Sequence, residues 1–361
     1  MEGITYVHDN AIIDKGPPVR YHLRLEKKNL DGDEAGSKLI RYTLGKKDPT
    51  KPNKTILLVG ETGAGKSSFI NSFLNYAIGV KEGDKVWFEI VNETIKASGS
   101  VTSQVIVYEI YGFEGKTLPY SLTIIDTPGY GDTRGIEKDA VIAQKLYDLF
   151  RSEEGIHTVD AVGLVMKASD NRLSDRLLYI LSSSLALFGK DLEKNLVALI
   201  THSDGMPPTV ALKALEDANV KLAKNERNQP VHFEFNNCLS TKITEETEFG
   251  LNQAWEVTER GMGGFITFLE QTPPQRLEKT VLVLGQQIRL AACINNLVDK
   301  IDLNKKKQKE IEKTIEYLKK YENKFKIGEN FTYEAQEYYV EKEDIYGGMW
   351  FSMFGGAVTS V

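Results

Sequence analysis

Cysteine is almost absent from this chain: its 361 residues hold two, Cys238 and Cys293. Two thiols cannot build the disulfide framework that holds small secreted folds together, so the fold has to rest on a packed interior. Histidine is also scarce, five in all, and none stands at a metal-ligand spacing. There is no basic excess either. Lys and Arg number 45 against 51 Asp and Glu, a net charge of −6, which argues against a nucleic-acid partner. No charged-then-apolar signal segment opens the sequence. The expected compartment is therefore the cytoplasm, with both thiols reduced, and the triplets beginning at Asn53, Asn92 and Asn330 carry no expectation of glycosylation.

What the chain has is 41% hydrophobic residues, enough for one large core and a smaller C-terminal appendage. The most informative segment is Gly60-Glu61-Thr62-Gly63-Ala64-Gly65-Lys66-Ser67. It follows the apolar run Ile56-Leu57-Leu58-Val59 and opens a helix-compatible stretch from Ser68 to Leu74. The pattern G-x4-G-K-[ST] arises by chance in roughly one chain in a hundred of this length. A strand before it and a helix after it mark a phosphate-binding loop rather than a plain glycine turn. The glycines let backbone N–H groups turn inward around an anion, where the helix N-terminus adds partial positive charge. Lys66 would reach the β- and γ-phosphates, Ser67 would take a place around Mg²⁺, and Ser68 closes the cradle.

Three further segments narrow the nucleotide. The strand-like Tyr120-Ser121-Leu122-Thr123-Ile124-Ile125 ends in Asp126-Thr127-Pro128-Gly129. There Asp126 could hold Mg²⁺ through water and the Gly129 N–H could meet a γ-phosphate. The run Leu196 to Ile200 delivers Thr201-His202-Ser203-Asp204. A carboxylate at Asp204 could accept from both N1–H and the exocyclic amine of guanine, a donor pair that adenine lacks. Val231 to Phe235 ends at Asn236-Asn237, whose amides could line the base or simply make a turn. Between the first two motifs, Thr102 is the candidate to close over Mg²⁺ and the γ-phosphate, with Ser100 and Ser103 as neighbours in sequence.

Together G-E-T-G-A-G-K-S, S-V-T, D-T-P-G-Y-G-D, T-H-S-D and F-N-N resemble the G domain of septins and immunity-associated GTPases, within the translation-factor-related P-loop GTPases. The resemblance covers roughly residues 52 to 270. Glu61 and Gly131-Asp132 lean toward septins, and the T-H-x-D form with two Asn residues leans toward the immunity-associated GTPases. It implies GTP or GDP with Mg²⁺ as ligands. The roles of Lys66, Ser67, Thr102, Asp126, Gly129, Asp204 and Asn237 carry over as argued. It also implies nucleotide-dependent dimers or oligomers that complete the site. Two positions depart from the common pattern. Thr201-His202 stand where Asn-Lys is usual, so the His202 ring would take the place of a Lys stem along the base. Tyr130 stands where Ras-like proteins carry the water-orienting Gln, so slow hydrolysis is expected. A nucleotide-loaded scaffold with negligible turnover is the alternative.

Along the chain, residues 1–53 read as a polar leader that packs loosely with a few short strands, and 54–270 as the G domain. Helical candidates there are Glu137 to Phe150, Asp170 to Phe188 and Pro208 to Val220. Alternating strands and helices imply an α/β fold of P-loop GTPase type, a mainly parallel sheet with helices on both faces and the ligand at the strands' carboxyl ends. A helical, coiled-coil-like extension is expected over 274–326. Its apolar seam from Leu277 to Phe325 is interrupted by Asn304-Lys305-Lys306-Lys307, so one helix and two are both allowed. The uncharged tail, 345 to 361 within a final segment 327–361, is either an unfolded end or a peripheral membrane contact.

Overall fold

The computed structural model describes residues 11–32, 38–91, 104–128, 136–170 and 190–326. The chain divides into two units, Met1–Leu290 and Ala291–Val361. In the first, strands and helices alternate because apolar runs of six to eight residues alternate with amphipathic stretches. In chain order the elements are β1 (Ala11–Asp14), β2 (Val19–His22), β3 (Glu26–Asn29), β4 (Leu39–Leu44), β5 (Asn53–Gly60), α1 (Lys66–Ile78), β6 (Val86–Glu89), β7 (Val105–Ile110) and β8 (Ser121–Asp126). Then come α2 (Ile136–Arg151), β9 (Thr158–Val159), β10 (Ala161–Lys167), β11 (Leu196–Thr201), α3 (Thr209–Asp217), β12 (His232–Glu234), α4 (Glu248–Gln271), β13 (Gln275–Arg276) and α5 (Glu278–Lys326).

Eight strands form the main sheet in the order β12-β11-β10-β5-β8-β7-β4-β3. Five of its seven pairings are parallel; β7 with β8 and β3 with β4 are antiparallel. β5 is central and buried on both faces, which is why its sequence is a continuous apolar run rather than an alternation. Ile56 and Leu58 face one core, with Phe69 and Phe73 of α1 and Phe265 of α4. Leu57 and Val59 face the other, with Leu146 of α2, Leu215 of α3 and Leu284 at the start of α5. The mainly parallel sheet with helices on both faces is thus present as the sequence implies.

The segment expected to be a loose leader differs from that expectation. β3 and β4 extend the main sheet, β4 pairing in parallel with β7 from Leu39 opposite Val105 to Leu44 opposite Ile110. Leu39, Ile40 and Leu44 are buried. The charged strand Glu26-Lys27-Lys28-Asn29 is an edge, and its charges suit a strand with one side unpaired. β1 and β2 join β6 in a separate three-stranded sheet.

α1 also does more than follow the phosphate loop. Asn71 and Asn75, one turn apart and buried, treat the chain at β6 as a neighbouring strand. Asn75 donates to the Phe88 carbonyl at 2.7 Å and accepts from the Phe88 N–H at 2.9 Å. Asn71 donates to the Val91 carbonyl and accepts from the N–H groups of Ile90 and Val91. A buried backbone edge is satisfied this way without a strand beside it.

Of the helical candidates, Glu137 to Phe150 is α2 with one residue more at each end, and Pro208 to Val220 contains α3. Asp170 to Phe188 falls almost wholly outside the described residues. α5 runs unbroken through Asn304-Lys305-Lys306-Lys307, so the polar gap leaves one helix. Among the described residues one helix, Glu278–Lys320 within α5, is long and apolar enough to cross a membrane by length and composition alone. The tail 345–361 lies outside the described residues.

If β4 is an integral strand, Leu39→Ala removes buried apolar volume and should cost about 2–5 kcal/mol in urea unfolding. An unchanged midpoint would mean that the strand is dispensable to the core.

Candidate functional site

β5 ends at Gly60 and the chain turns through Glu61 to Gly65 before α1 begins at Lys66. Gly63 and Gly65 have φ of 81° and 97°, left-handed values that a side chain makes costly. Gly65 also lacks room: a Cβ there would collide with the Asn237 amide nitrogen. The Lys66 side chain folds back over the loop, donating to the Gly60 carbonyl at 2.7 Å and the Glu61 carbonyl at 2.9 Å. Its ammonium, 8% exposed at the residue level, is thus held over the concave side of the turn, where an anion would meet it.

Asp126 ends β8 and lies in register with Leu58 on β5, close below the loop. It is buried, as is Thr127, whose hydroxyl donates to the Leu58 carbonyl at 2.8 Å. The Tyr108 hydroxyl is pushed well above its ordinary pKa by burial first and by the Asp126 charge second. No group of three or more His, Cys, Asp or Glu that could hold a metal occurs among the described residues. A cation at Ser67 and Asp126 would therefore need phosphate oxygens to complete its shell, which is how Mg²⁺ ordinarily sits beside a nucleotide.

β11 brings Thr201 to the same end of the sheet. Its buried hydroxyl donates to the Ala64 carbonyl at 2.6 Å, with the Met166 carbonyl 3.1 Å away. It ties the phosphate loop to β10 and β11. Asn237 makes a second tie, donating to the Gly65 carbonyl at 3.3 Å. His202 has a φ of 54° and sets its Nδ1 3.2 Å from the Thr201 hydroxyl. Burial, then the nearby Lys167 charge, lowers the His202 pKa, with Asp170 opposing. The surroundings therefore favour the neutral imidazole.

Asp204 is exposed, and one of its carboxylate oxygens accepts from the Met206 N–H at 3.0 Å. Asn236 faces inward: its side-chain amide donates to the Ser203 carbonyl at 2.9 Å, and its backbone N–H donates to the Thr258 hydroxyl of α4 at 3.0 Å. The structure adds partners that the sequence did not mark. Ser203 donates to the Glu234 carboxylate at 2.5 Å and accepts from the Gly205 N–H at 3.0 Å. That short, charge-assisted bond fixes the turn carrying Asp204. Its two residues stand 31 positions apart, and only the strand pairing of β11 with β12 brings them together.

Gly60 to Ser68, Asp126, Thr201, His202, Asp204, Asn236 and Asn237 thus gather at the carboxyl ends of β5, β8, β11 and β12. Thr102 and Gly129 lie outside the described residues. A cleft of about 660 Å³ between the end of α2, β9 and the start of α5, lined by Phe150, His157, Arg276 and Val281 among others, holds none of these residues. It opens where β10 begins, at the other end of the strands.

Two outcomes follow from this geometry. Thr201→Val leaves the Ala64 carbonyl without its donor and should lower stability by about 1–3 kcal/mol in urea unfolding; no loss would mean that the tie carries nothing. His202 should titrate below 6.5 by NMR. Since its folded pKa is the lower one, the unfolded chain takes up more protons as pH falls past that value, and the residue's contribution to stability is lost on acidification. A midpoint at or above the ordinary value would contradict the partial desolvation of the ring.

Comparison with known proteins agrees with the motifs. Immune-associated nucleotide-binding protein 9 of Arabidopsis thaliana is 28% identical over 155 residues, 43% of this chain and 39% of that protein. The chain therefore matches well under half the length of that relative. Among solved structures, Toc33 of Arabidopsis thaliana in complex with Mg²⁺ and GMPPNP is 17% identical, with a TM-score of 0.40 over 62% of this chain and 88% of that one. Toc33 in complex with GDP and Mg²⁺ is 16% identical, with a TM-score of 0.41 over 63% and 88%. The family model described as AIG1 family matches residues 54–248, more than half of the chain. Of the two patterns the motifs resemble, the match falls on the immunity-associated one: the chain belongs to the AIG1 family of GTPases.

Proposed function

We propose that the chain binds GTP with Mg²⁺, hydrolyses it slowly to GDP, and works as a switch that assembles when loaded. The observation that carries this reading is the Lys66 ammonium, held over a left-handed glycine turn at the end of β5 with the T-H-S-D turn tied to that loop through Thr201. Phosphate and base sites at one sheet end are what a nucleotide triphosphate needs.

In this reading Gly60 to Ser68 hold the phosphates through backbone N–H groups and Lys66. Ser67, Asp126 and Thr102 are the protein's ligands to Mg²⁺, which when bound neutralises charge on the β- and γ-phosphates. Gly129 offers its N–H to the γ-phosphate. Asp204 reads guanine, His202 lies along the base, and Asn236 and Asn237 close its edge. The chemistry asks for positioning and charge neutralisation rather than a covalent nucleophile, which suits a site of Lys, Ser, Thr, Asp and backbone N–H groups. Tyr130 in place of a Gln leaves the attacking water without a side-chain partner at that position, hence a slow intrinsic rate. A second copy facing the nucleotide would supply what is missing.

Lys66→Ala should abolish tight binding in a fluorescent-nucleotide titration; retained affinity would remove the phosphate-loop assignment. Asp204→Asn should weaken GTP by on the order of a hundredfold, from the loss of a charge-assisted pair, while xanthosine triphosphate gains. A variant still selective for GTP would show that Asp204 does not read the base. Phosphate release from GTP·Mg²⁺ should rise per molecule as protein concentration rises through the range in which two copies associate. A flat, near-zero rate with GTP bound would instead describe a loaded scaffold.

A further inference from the structure

The second unit is described through the part of α5 beyond Leu290. Because this helix is continuous, its residues can be counted in sevens. Starting from Ile294 as position a, the a positions are Ile294, Ile301, Gln308 and Ile315, and the d positions are Leu297, Asn304, Ile311 and Leu318. The polar stretch that seemed to break the seam does not break its phase. It replaces two adjacent core layers with Asn304 and Gln308, and the apolar repeat resumes in register at Ile311. The six apolar members are each 45% to 60% exposed, so the described chain leaves this stripe uncovered over about 36 Å of helix.

We propose that this stripe pairs with the same stripe of a second copy, as a parallel, in-register, two-stranded coiled coil. Every apolar a position is β-branched Ile, and two of the three apolar d positions are Leu. That distribution favours two parallel strands over higher assemblies. In register, Asn304 meets its own counterpart and so does Gln308; any slip by one heptad sets a polar side chain against an apolar one. Charge decides orientation. In the parallel pair Lys307 at g faces Glu312 at e of the partner, an attraction, and Lys300 faces Lys305, a repulsion. In the antiparallel register that also stacks Asn304 on Gln308, Lys305 faces Lys305 and Lys307 faces Lys307, both repulsive. Each parallel contact occurs on both seams and each antiparallel one once, so both arrangements carry two repulsions and the parallel one wins by its two attractions.

A lipid surface fits this helix less well. The stretch apolar enough for a membrane has a mean hydropathy of only 1.3, and Arg289, Asn295, Asn296, Asp299 and Lys300 put polar groups around it. The pairing does not depend on nucleotide, so it would hold two GTPase domains together in every nucleotide state and raise the local concentration of one around the other.

The test is sedimentation equilibrium of the full chain, nucleotide-free in EDTA. The wild type should show the mass of two chains. Ile301→Asp with Ile315→Asp should raise the dimer dissociation constant by on the order of a hundredfold, with helicity by circular dichroism and GTP affinity retained. Lys313→Ala, on the outer face, should change nothing. Lys300→Glu should tighten the dimer, because it turns the parallel Lys300–Lys305 repulsion on both seams into an attraction, and a gain cannot come from misfolding. With Cys238→Ser and Cys293→Ser, Gln308→Cys should cross-link to its own counterpart on oxidation. A wild type with the mass of one chain at all concentrations would overturn the proposal. So would a dimer indifferent to Ile301 and Ile315, a Gln308→Cys dimer that does not cross-link, or a single chain that pellets with anionic vesicles and releases when Ile301 becomes Asp.

Discussion

One buried hydroxyl joins the two halves of the nucleotide site. Thr201 ends β11, and its bond to the Ala64 carbonyl spans 137 positions of sequence to hold the phosphate loop against the strand that delivers the base-reading turn. A carbonyl in a loop of glycines has no helix or sheet partner, so a buried donor from outside is the remedy available. The consequence reaches both ways. The loop is tied to β11, and through β11 to the turn that carries Asp204. Asn237, beyond the end of β12, adds a second tie at the Gly65 carbonyl, which also accepts from the Phe69 N–H of α1, and the space it fills is the space a Cβ on residue 65 would need.

The second constraint is that β5 has helices on both sides. With Ile56 and Leu58 in one core and Leu57 and Val59 in the other, the strand cannot shift register without exposing one set, and its carboxyl end stays where the loop needs it. α1 extends this order toward the segment that carries Thr102. Asn71 and Asn75 pin Phe88, Ile90 and Val91 to the helix that starts at Lys66. The chain as far as Val91 is thus anchored to the same helix that closes the phosphate loop.

Much of this was legible in the residues. The phosphate loop, Asp126 at a strand end and the Thr201-to-Asp204 turn are local patterns that an apolar run and a turn suffice to place. What escaped notice did so for physical reasons. Glu26-Lys27-Lys28-Asn29 looks like loop because an edge strand can afford charge on both sides, and β4 alternates too weakly to announce a parallel partner 66 positions on. α4 holds four glycines that read as breakers. At Gly261 the absence of a side chain is what lets the helix approach β12, since a Cβ would strike the Glu234 carbonyl. The Thr201 tie to the Ala64 carbonyl and the Ser203 bond to Glu234 depend on strand neighbours that no local window contains. In α5 a run of Lys is as compatible with helix as with turn, and only the continuity of the helix makes the seven-residue phase readable.

The account stands on guanine recognition and phosphate binding occurring together at one end of this sheet. Calorimetric titration of the wild-type chain with GTP and with ATP, each with Mg²⁺, tests that directly. One GTP per chain should bind, with ATP weaker by at least about a hundredfold, the difference made by one charged donor–acceptor pair. Equal binding of the two nucleotides, or none of either, would contradict it.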